Sequence, residues 1–339
     1  MNHSTFKSFT FGIGLFFTLP LVYGNSSSPS SSDGTLYINK SKTHKVAPVK
    51  YGFHYEEIGM MGEGALHAEL IRNRSFEEAT PPAGLSVKNG LYENVPAPRV
   101  KEKKVFQADP LIGWTTYPLS YTPVFISRTD ENPMSGENKY SMLVNVTEDI
   151  ANHPDALILN RGYYGMNLKT DTSYRLSLFL KNRNYSAPLR VFLVDEWGQR
   201  VSNVIEVNVG NRDWTKYTGE LKPEKNVRRG MFAIQPMSKG QFQIDVVSLF
   251  PSDTWNDGKS VFRKDIVQNL KEFSPSFIRF PGGCIVHGVN EETMYHWKKT
   301  LGPIENRPGQ WSKWAPYYRT DGIGYHEFYE LCEYGGAGG

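Results

Sequence analysis

The chain has 339 residues, with 38 lysines and arginines against 35 aspartates and glutamates. That near balance removes the electrostatic case for nucleic acid or an anionic membrane surface as a partner. Two cysteines, Cys284 and Cys332, allow one disulfide but no disulfide framework. No cysteine–histidine cluster has zinc-ligand spacing, and no metal-ligand residue or cofactor is assigned, with calcium in the β-rich middle left open.

The amino terminus reads as a secretory signal over residues 1–24. Lys7 supplies the positive charge, Phe9 to Tyr23 is mostly apolar, and Val22-Tyr23-Gly24 ends on a small residue. An uncleaved anchor is the alternative. Residues 25–34, Asn-Ser-Ser-Ser-Pro-Ser-Ser-Ser-Asp-Gly, form a Ser-rich linker by composition. The mature protein is therefore expected outside the cytoplasm, secreted or periplasmic, and free of the membrane once the signal is removed. Asn73 and Asn145 lie in glycosylation sequons, which matter only if the source glycosylates.

Thr35 to Ile38 alternates like a strand, and Val46 to Ile58 is a second extended piece. Glu56 and Glu57 stand at its end. Neighbours on a strand point to opposite faces, so at most one of them looks into a given pocket. A solvated charge pair is the plainer alternative. Gly59 to Gly64 is a loop, and Ala65 to Arg72 reads as a short helix with Leu66, Leu70 and Ile71 on one side. Pro81, Pro82, Pro96 and Pro98 then mark a long connection.

From about Lys103 to Phe250 the pattern is all-β. Tyr140–Val146, Ala156–Leu159, Ser173–Leu180, Arg190–Val194, Val204–Val209, Met231–Gln235 and Gln241–Phe250 are β-rich runs between turn clusters. Strands at roughly 8–12-residue spacing indicate a sandwich or jelly roll. Trp114, Tyr117, Tyr163, Tyr164, Trp197 and Trp214 either stack on sugars or fill the core, and core packing is the commoner role.

After Ser252 the pattern becomes α/β. Arg263 to Phe273 reads as a helix, with Ile266, Val267, Leu270 and Phe273 on one face. The run Ser276 to Arg279 reads as a strand that stops at Pro281-Gly282-Gly283. Such α/β units carry sites at the carboxyl ends of their strands. Arg279 is thus either a site residue or a structural ion-pair partner. Tyr325 to Tyr334 is a second amphipathic helix, with Asp321 as its start signal. The tail Gly335-Gly-Ala-Gly-Gly339 cannot extend it stably.

Two stretches taken together resemble a known family. The first is Tyr51-Gly-Phe-His-Tyr-Glu-Glu-Ile-Gly59, continuing through Gly64-Ala-Leu-His-Ala-Glu-Leu-Ile-Arg-Asn-Arg-Ser-Phe-Glu77. The second is Arg279-Phe-Pro-Gly-Gly-Cys-Ile-Val-His-Gly288, followed by Trp297 to Gly309 and Thr320 to Phe328. They resemble the amino-terminal half of the α-L-arabinofuranosidases of glycoside hydrolase family 51, and the resemblance covers nearly everything after the linker.

The resemblance implies a mixed fold, a partial (β/α)8 TIM barrel interrupted by a jelly-roll or galactose-binding-like β-sandwich. It divides the mature chain into 35–98 (amino-terminal strand and first βα unit), 99–252 (carbohydrate-binding sandwich) and 253–339 (second unit and start of the third). It also implies a retaining reaction through two glutamates about 5–5.5 Å apart, acting on arabinose-containing plant polysaccharides. By motif, Glu56 and Arg279 bind the sugar, Cys284 after the glycine turn is a further substrate-binding position, and Trp297 belongs to the pocket wall.

The family's acid/base and nucleophile glutamates are expected beyond Gly339. A closed barrel takes about 250 residues, and roughly 150 remain here once signal, linker and sandwich are set aside. The chain is accordingly expected to be a truncated or frameshifted product, or an assembly break, and inactive alone. Two other functions stay open, an endo-glucanase of the same family and a non-catalytic carbohydrate-binding protein.

Overall fold

Short apolar runs, some alternating and some buried on both faces, produce the largest part of the structure. In the computed structural model, residues 39, 41, 43–45, 51–79, 86–88, 91–95, 104–107, 109–288, 291, 294–312 and 317–335 are described. The signal stretch, the Ser-rich linker, the strand at Thr35–Ile38, Pro81, Pro82, Pro96, Pro98 and the last four residues of the tail lie outside them. The chain divides into Met1–Val46 and Ala47–Gly339, and every described strand and helix belongs to the second unit.

The first strand, β1, is only Phe53–His54. Then β2 (Ser86–Lys88), β3 (Leu91–Val95) and β4 (Lys104–Gln107) form a small antiparallel sheet in that order. Eleven strands follow: β5 (Trp114–Tyr117), β6 (Val124–Thr129), β7 (Ser141–Val146), β8 (Leu157–Asn160), β9 (Met166–Leu168), β10 (Tyr174–Asn182), β11 (Pro188–Val194), β12 (Ile205–Asn208), β13 (Thr215–Leu221), β14 (Val227–Gln235) and β15 (Gly240–Pro251). They make two antiparallel sheets. One is ordered β13-β10-β15-β7-β6, the other β12-β11-β14-β8-β5 with β9 beside β14.

Along β10, Tyr174, Leu176, Leu178 and Leu180 alternate inward. They meet Val144, Phe242 and Ile244 of their own sheet and Ile158, Val191 and Phe232 of the other in one core. That is the sandwich arrangement, two inner faces filling a shared layer. The larger sheet is covered outside as well. Leu157, Leu159, Phe192, Val194, Met231 and Ala233 form a second apolar cluster, against which Tyr117 and Val204 pack.

Past the sandwich come α1 (Lys264–Glu272), β16 (Ile278–Arg279), α2 (Cys284–His287), the hairpin β17 (Gln310–Ser312) and β18 (Tyr317–Arg319), and α3 (Tyr325–Gly335). β1 pairs in parallel with β16, with Phe53 opposite Ile278 and His54 opposite Arg279. Val267 of α1 and Phe328 and Leu331 of α3 are buried in one apolar layer, which Ile278 and Phe280 join.

The segment expected as a helix over Ala65–Arg72 is not one. An irregular turn at Gly62–Leu66, with Glu63 extended and Gly64 at φ 77°, gives way to extended chain. The backbone finds its partners outside itself: Ala68 N–H donates to Val261 O at 2.8 Å and Leu70 N–H to Leu249 O at 3.1 Å. Glu69 explains why the segment stays straight. Its Oε1 accepts the N–H groups of Ile71 (2.9 Å) and Leu249 (2.8 Å), and its Oε2 accepts the Ser248 hydroxyl. Buried donors must be paired, and here a carboxylate from the segment itself pairs them.

A bulge completes the junction. The β10–β15 register slips between Ser177 and Phe179, and Val246 adopts φ 41°. A bulge re-aims the backbone of its strand. Val247 N–H consequently donates to Arg74 O at 2.9 Å. Beyond that point Phe76 enters the sandwich core against Trp114, ring centres 5.5 Å apart, and the Trp114 indole N–H donates to Asn73 O at 3.1 Å.

Candidate functional site

Pairing of β1 with β16 sorts the side chains at their carboxyl ends. Tyr55 N–H donates to Arg279 O at 2.8 Å and Glu57 N–H to Pro281 O at 3.2 Å, so the ladder continues past the end of each strand. Phe53, Tyr55, Ile278 and Phe280 face the helices. Phe53 lies edge-on to Phe273 (5.7 Å), Tyr55 edge-on to Phe328 (4.9 Å), and Phe280 stacks on Phe328 (4.3 Å). By the two-residue period, His54, Glu56 and Arg279 take the opposite face. His54 and Arg279 are exposed there, and Glu56 is half-buried.

The glycine turn completes this face. A Cβ on Gly282, which has φ 144°, would lie 2.7 Å from Glu56 Cγ and 2.7 Å from Ile285 Cγ2. Only glycine lets the turn close on Glu56 so tightly. Cys284, the first residue of α2, is a half-buried free thiol, and Cys332 is free as well. The structure thus brings Glu56 to the strand-end turn and places Arg279 one strand over on the same face. Trp297 is tied to a different element. It is 43% exposed, and its ring centre lies 4.9 Å from that of Tyr325 at the start of α3.

Asp321 does not cap α3. Gly324 N–H donates to Glu327 Oε2 at 2.7 Å, so a first-turn glutamate does the capping. Asp321 is buried instead, 3.8 Å from Arg319.

Glu57, the neighbour of Glu56, anchors a buried polar cluster. The Tyr55 hydroxyl donates to its Oε2 at 2.5 Å and the Tyr317 hydroxyl to its Oε1 at 2.6 Å. Glu63 Oε1 accepts the N–H (3.1 Å) and hydroxyl (2.7 Å) of Thr320, and its Oε2 lies 3.8 Å from His67 Nδ1.

Burial and the charge of Glu63 push the Glu57 carboxyl up, against the two tyrosine hydroxyls. Burial acts on Glu63 in the same direction, but His67, Thr320 and Arg74 outweigh it and hold its pKa down to about 2. Two carboxyls with pKa values pushed apart match a glycosidase's acid and nucleophile in kind. The space does not. The cavity between them, walled by Tyr55, Tyr295, Arg319 and Phe328, is about 20 Å3. That holds a water and excludes a sugar ring. The cluster pins the β17–β18 hairpin to the end of β1, and Glu56 and Arg279 lie outside it.

Sequence reasoning named Glu57 but not Glu63, Tyr317 or Thr320. A signal was present in the paired acids Glu56 and Glu57 at a strand end, which must part to opposite faces. Among the described residues, no group of three or more His, Cys, Asp or Glu side chains could hold a metal ion. No described helix is long and apolar enough to cross a membrane.

Comparison with known proteins supplies the context. Residues 269–338 match the family described as the alpha-L-arabinofuranosidase 1 domain. Alpha-L-arabinofuranosidase 1 of Arabidopsis thaliana is 29% identical over 288 residues, 84% of this chain and 38% of the relative. The extracellular exo-alpha-L-arabinofuranosidase of Streptomyces chartreusis is 27% identical, over 84% of this chain and 31% of its own. The arabinose-bound structure of the α-L-arabinofuranosidase MgGH51 superposes with a TM-score of 0.71 at 25% identity, covering 88% of this chain and 44% of that one. The chain therefore spans less than half the length of these relatives.

Proposed function

We propose, for a chain that is glycoside hydrolase family 51 α-L-arabinofuranosidase-like in sequence and in fold, that it forms the sugar-binding amino-terminal part of a secreted α-L-arabinofuranosidase. In this reading β1 and β16 are the first two strands of a (β/α)8 barrel, and the sandwich between them is a galactose-binding-like carbohydrate-binding module. The substrate is a terminal non-reducing α-L-arabinofuranosyl residue on a plant polysaccharide.

The observation that carries the proposal is the shared open face of Glu56 and Arg279 at the carboxyl ends of two parallel strands. Barrel enzymes place their chemistry at that end. Glu56 accepts hydrogen bonds from sugar hydroxyls, and the Arg279 guanidinium donates to the sugar and to the catalytic carboxylates. Cys284 and Trp297 contribute to the wall. The acid/base and nucleophile glutamates come from barrel strands that follow these two, and the reaction retains configuration through a glycosyl-enzyme.

Hydrolysis of para-nitrophenyl α-L-arabinofuranoside by the protein with its complete barrel tests this. Glu56→Gln and Arg279→Ala are each expected to lower kcat/KM by about 10–100-fold, the worth of a charge-assisted hydrogen bond. The 339-residue chain alone is expected to release no arabinose. A complete protein that ignores the arabinoside and cleaves a β-glucan internally would make it an endo-glucanase. Full activity in Arg279→Ala would remove that residue from the site.

A further inference from the structure

A groove of about 630 Å3 lies between the sandwich and the start of α1. Its size falls within the ~300–1,000 Å3 typical of sites for small ligands. One wall is the turn that leads into β9, the other is the first two turns of α1, and His67–Leu70 run along the floor.

The most distinctive group in it is Tyr164, 82% exposed. Its position is built rather than loose. Gly165 N–H donates to Arg161 O at 3.0 Å, and Gly162 N–H to Asn160 Oδ1 at 2.9 Å. Gly162 has φ 61°, and a Cβ there would lie 2.7 Å from Leu70 O, so the turn sits hard against the floor. An aromatic ring carried outward on a turn whose backbone is fixed offers a face for stacking.

Around it stand Asn167, Lys169, Asp253 and Gln268, all exposed. Arg263 and Asp265 neutralise each other at 2.6 Å, which leaves the groove close to charge balance. Donors and acceptors are thus mixed, and no strong field selects a charged ligand.

The groove also opens at the informative end of the molecule. Arg263 N–H, just before α1, donates to Leu66 O after β1, whereas Ser276 N–H, after α1, donates to Tyr51 O before β1. α1 therefore begins at the end of the sheet where Glu56 lies.

We propose that this groove binds a neutral glycan chain, with Tyr164 stacking on a sugar ring and Asn167, Lys169, Asp253 and Gln268 bonding its hydroxyls. The proposal rests on the arabinofuranosidase reading only in taking that glycan to be the backbone from which the arabinofuranosyl branches project.

Titration calorimetry of the 339-residue chain with linear xylan and β-glucan hexasaccharides tests it. Neither probe carries an arabinofuranosyl group, so the outcome is independent of the arabinoside assay. At least one hexasaccharide is expected to bind. Tyr164→Ala, at an exposed position, is expected to weaken it about tenfold, the loss of one aromatic face. Tyr164→Phe should retain binding. The proposal is overturned if neither hexasaccharide binds or if Tyr164→Ala binds within about twofold of the wild type.

Discussion

Replacing Phe76 by alanine is expected to lower the unfolding free energy by about 3–5 kcal/mol, the cost of deleting a buried aromatic and leaving its cavity. Phe76 is fully buried in the sandwich core, packed on Trp114, although it belongs to the chain segment that arrives from β1. Its φ is 59°, a backbone conformation that side chains resist. The core contact must therefore offset that conformational cost in the native state. Alanine at the same backbone angle carries a similar cost, which cancels between the two proteins, so the change reports the lost ring contacts and the cavity. Urea unfolding followed by tryptophan fluorescence measures it directly. A loss under about 1 kcal/mol would show that the strap from Leu66 to Glu77 is not anchored by this residue.

Stability is also expected to pass through a maximum near pH 4.5–5, with opposite limbs owed to Glu63 and Glu78. Glu63 has its pKa lowered from 4.5 to about 2. Its stabilisation is complete above about pH 4.5 and is lost as pH falls toward 2. At about 1.4 kcal/mol per pKa unit, that is about 3 kcal/mol. Glu78 is the reverse: burial raises its pKa to about 7, only partly offset by Arg72 at 3.5 Å. The folded state then holds the proton more tightly than the unfolded one, so stability falls as pH rises from about 4.5 to 7, again by about 3 kcal/mol. Glu69, Asp245 and Asp321, each raised chiefly by burial, act in the same sense as Glu78. Unfolding curves between about pH 2 and 8 test both limbs. Glu63→Gln should flatten the acid limb, and Glu78→Gln should flatten the neutral one. Parallel wild-type and Glu78→Gln profiles above about pH 4.5 would contradict the assignment.

Local pattern made α1 and α3 legible, because an apolar stripe at helical period needs no distant partner to be read. The same holds for β7, β10 and β15, whose alternating apolar residues announce a buried face. β5, β6 and β13 were less visible. They are short or rich in Thr, Ser and Lys, and become strands because a neighbour supplies the ladder. The strap at Leu66–Arg72 shows the sharper limit. Leu66, Leu70 and Ile71 have helical spacing, yet Leu249 and Val261, far along the chain, take the hydrogen bonds a helix would have made.

The site divides the same way. Arg279 at a glycine turn and Glu56 at a strand end were readable as candidates. Their common face depends on a register between β1 and β16 that no local pattern encodes. Glu57 becomes structural only because Tyr317 reaches it from a hairpin 260 residues on.

That register bears on the order in which the molecule assembles. Tyr51, just before β1, bonds through its hydroxyl to Phe273, 222 residues later. Two strands of two residues each cannot meet the entropy of closing so long a loop. Once the sandwich has formed, however, its entry at Leu70 and its exit at Leu249 are already hydrogen-bonded side by side. The loop that β1 and β16 must close then shrinks to the two segments outside that clasp, residues 54–70 and 249–278. The sandwich should fold first and act as the template on which the two parallel strands nucleate. Destabilising its core would then slow their pairing even though it touches neither strand.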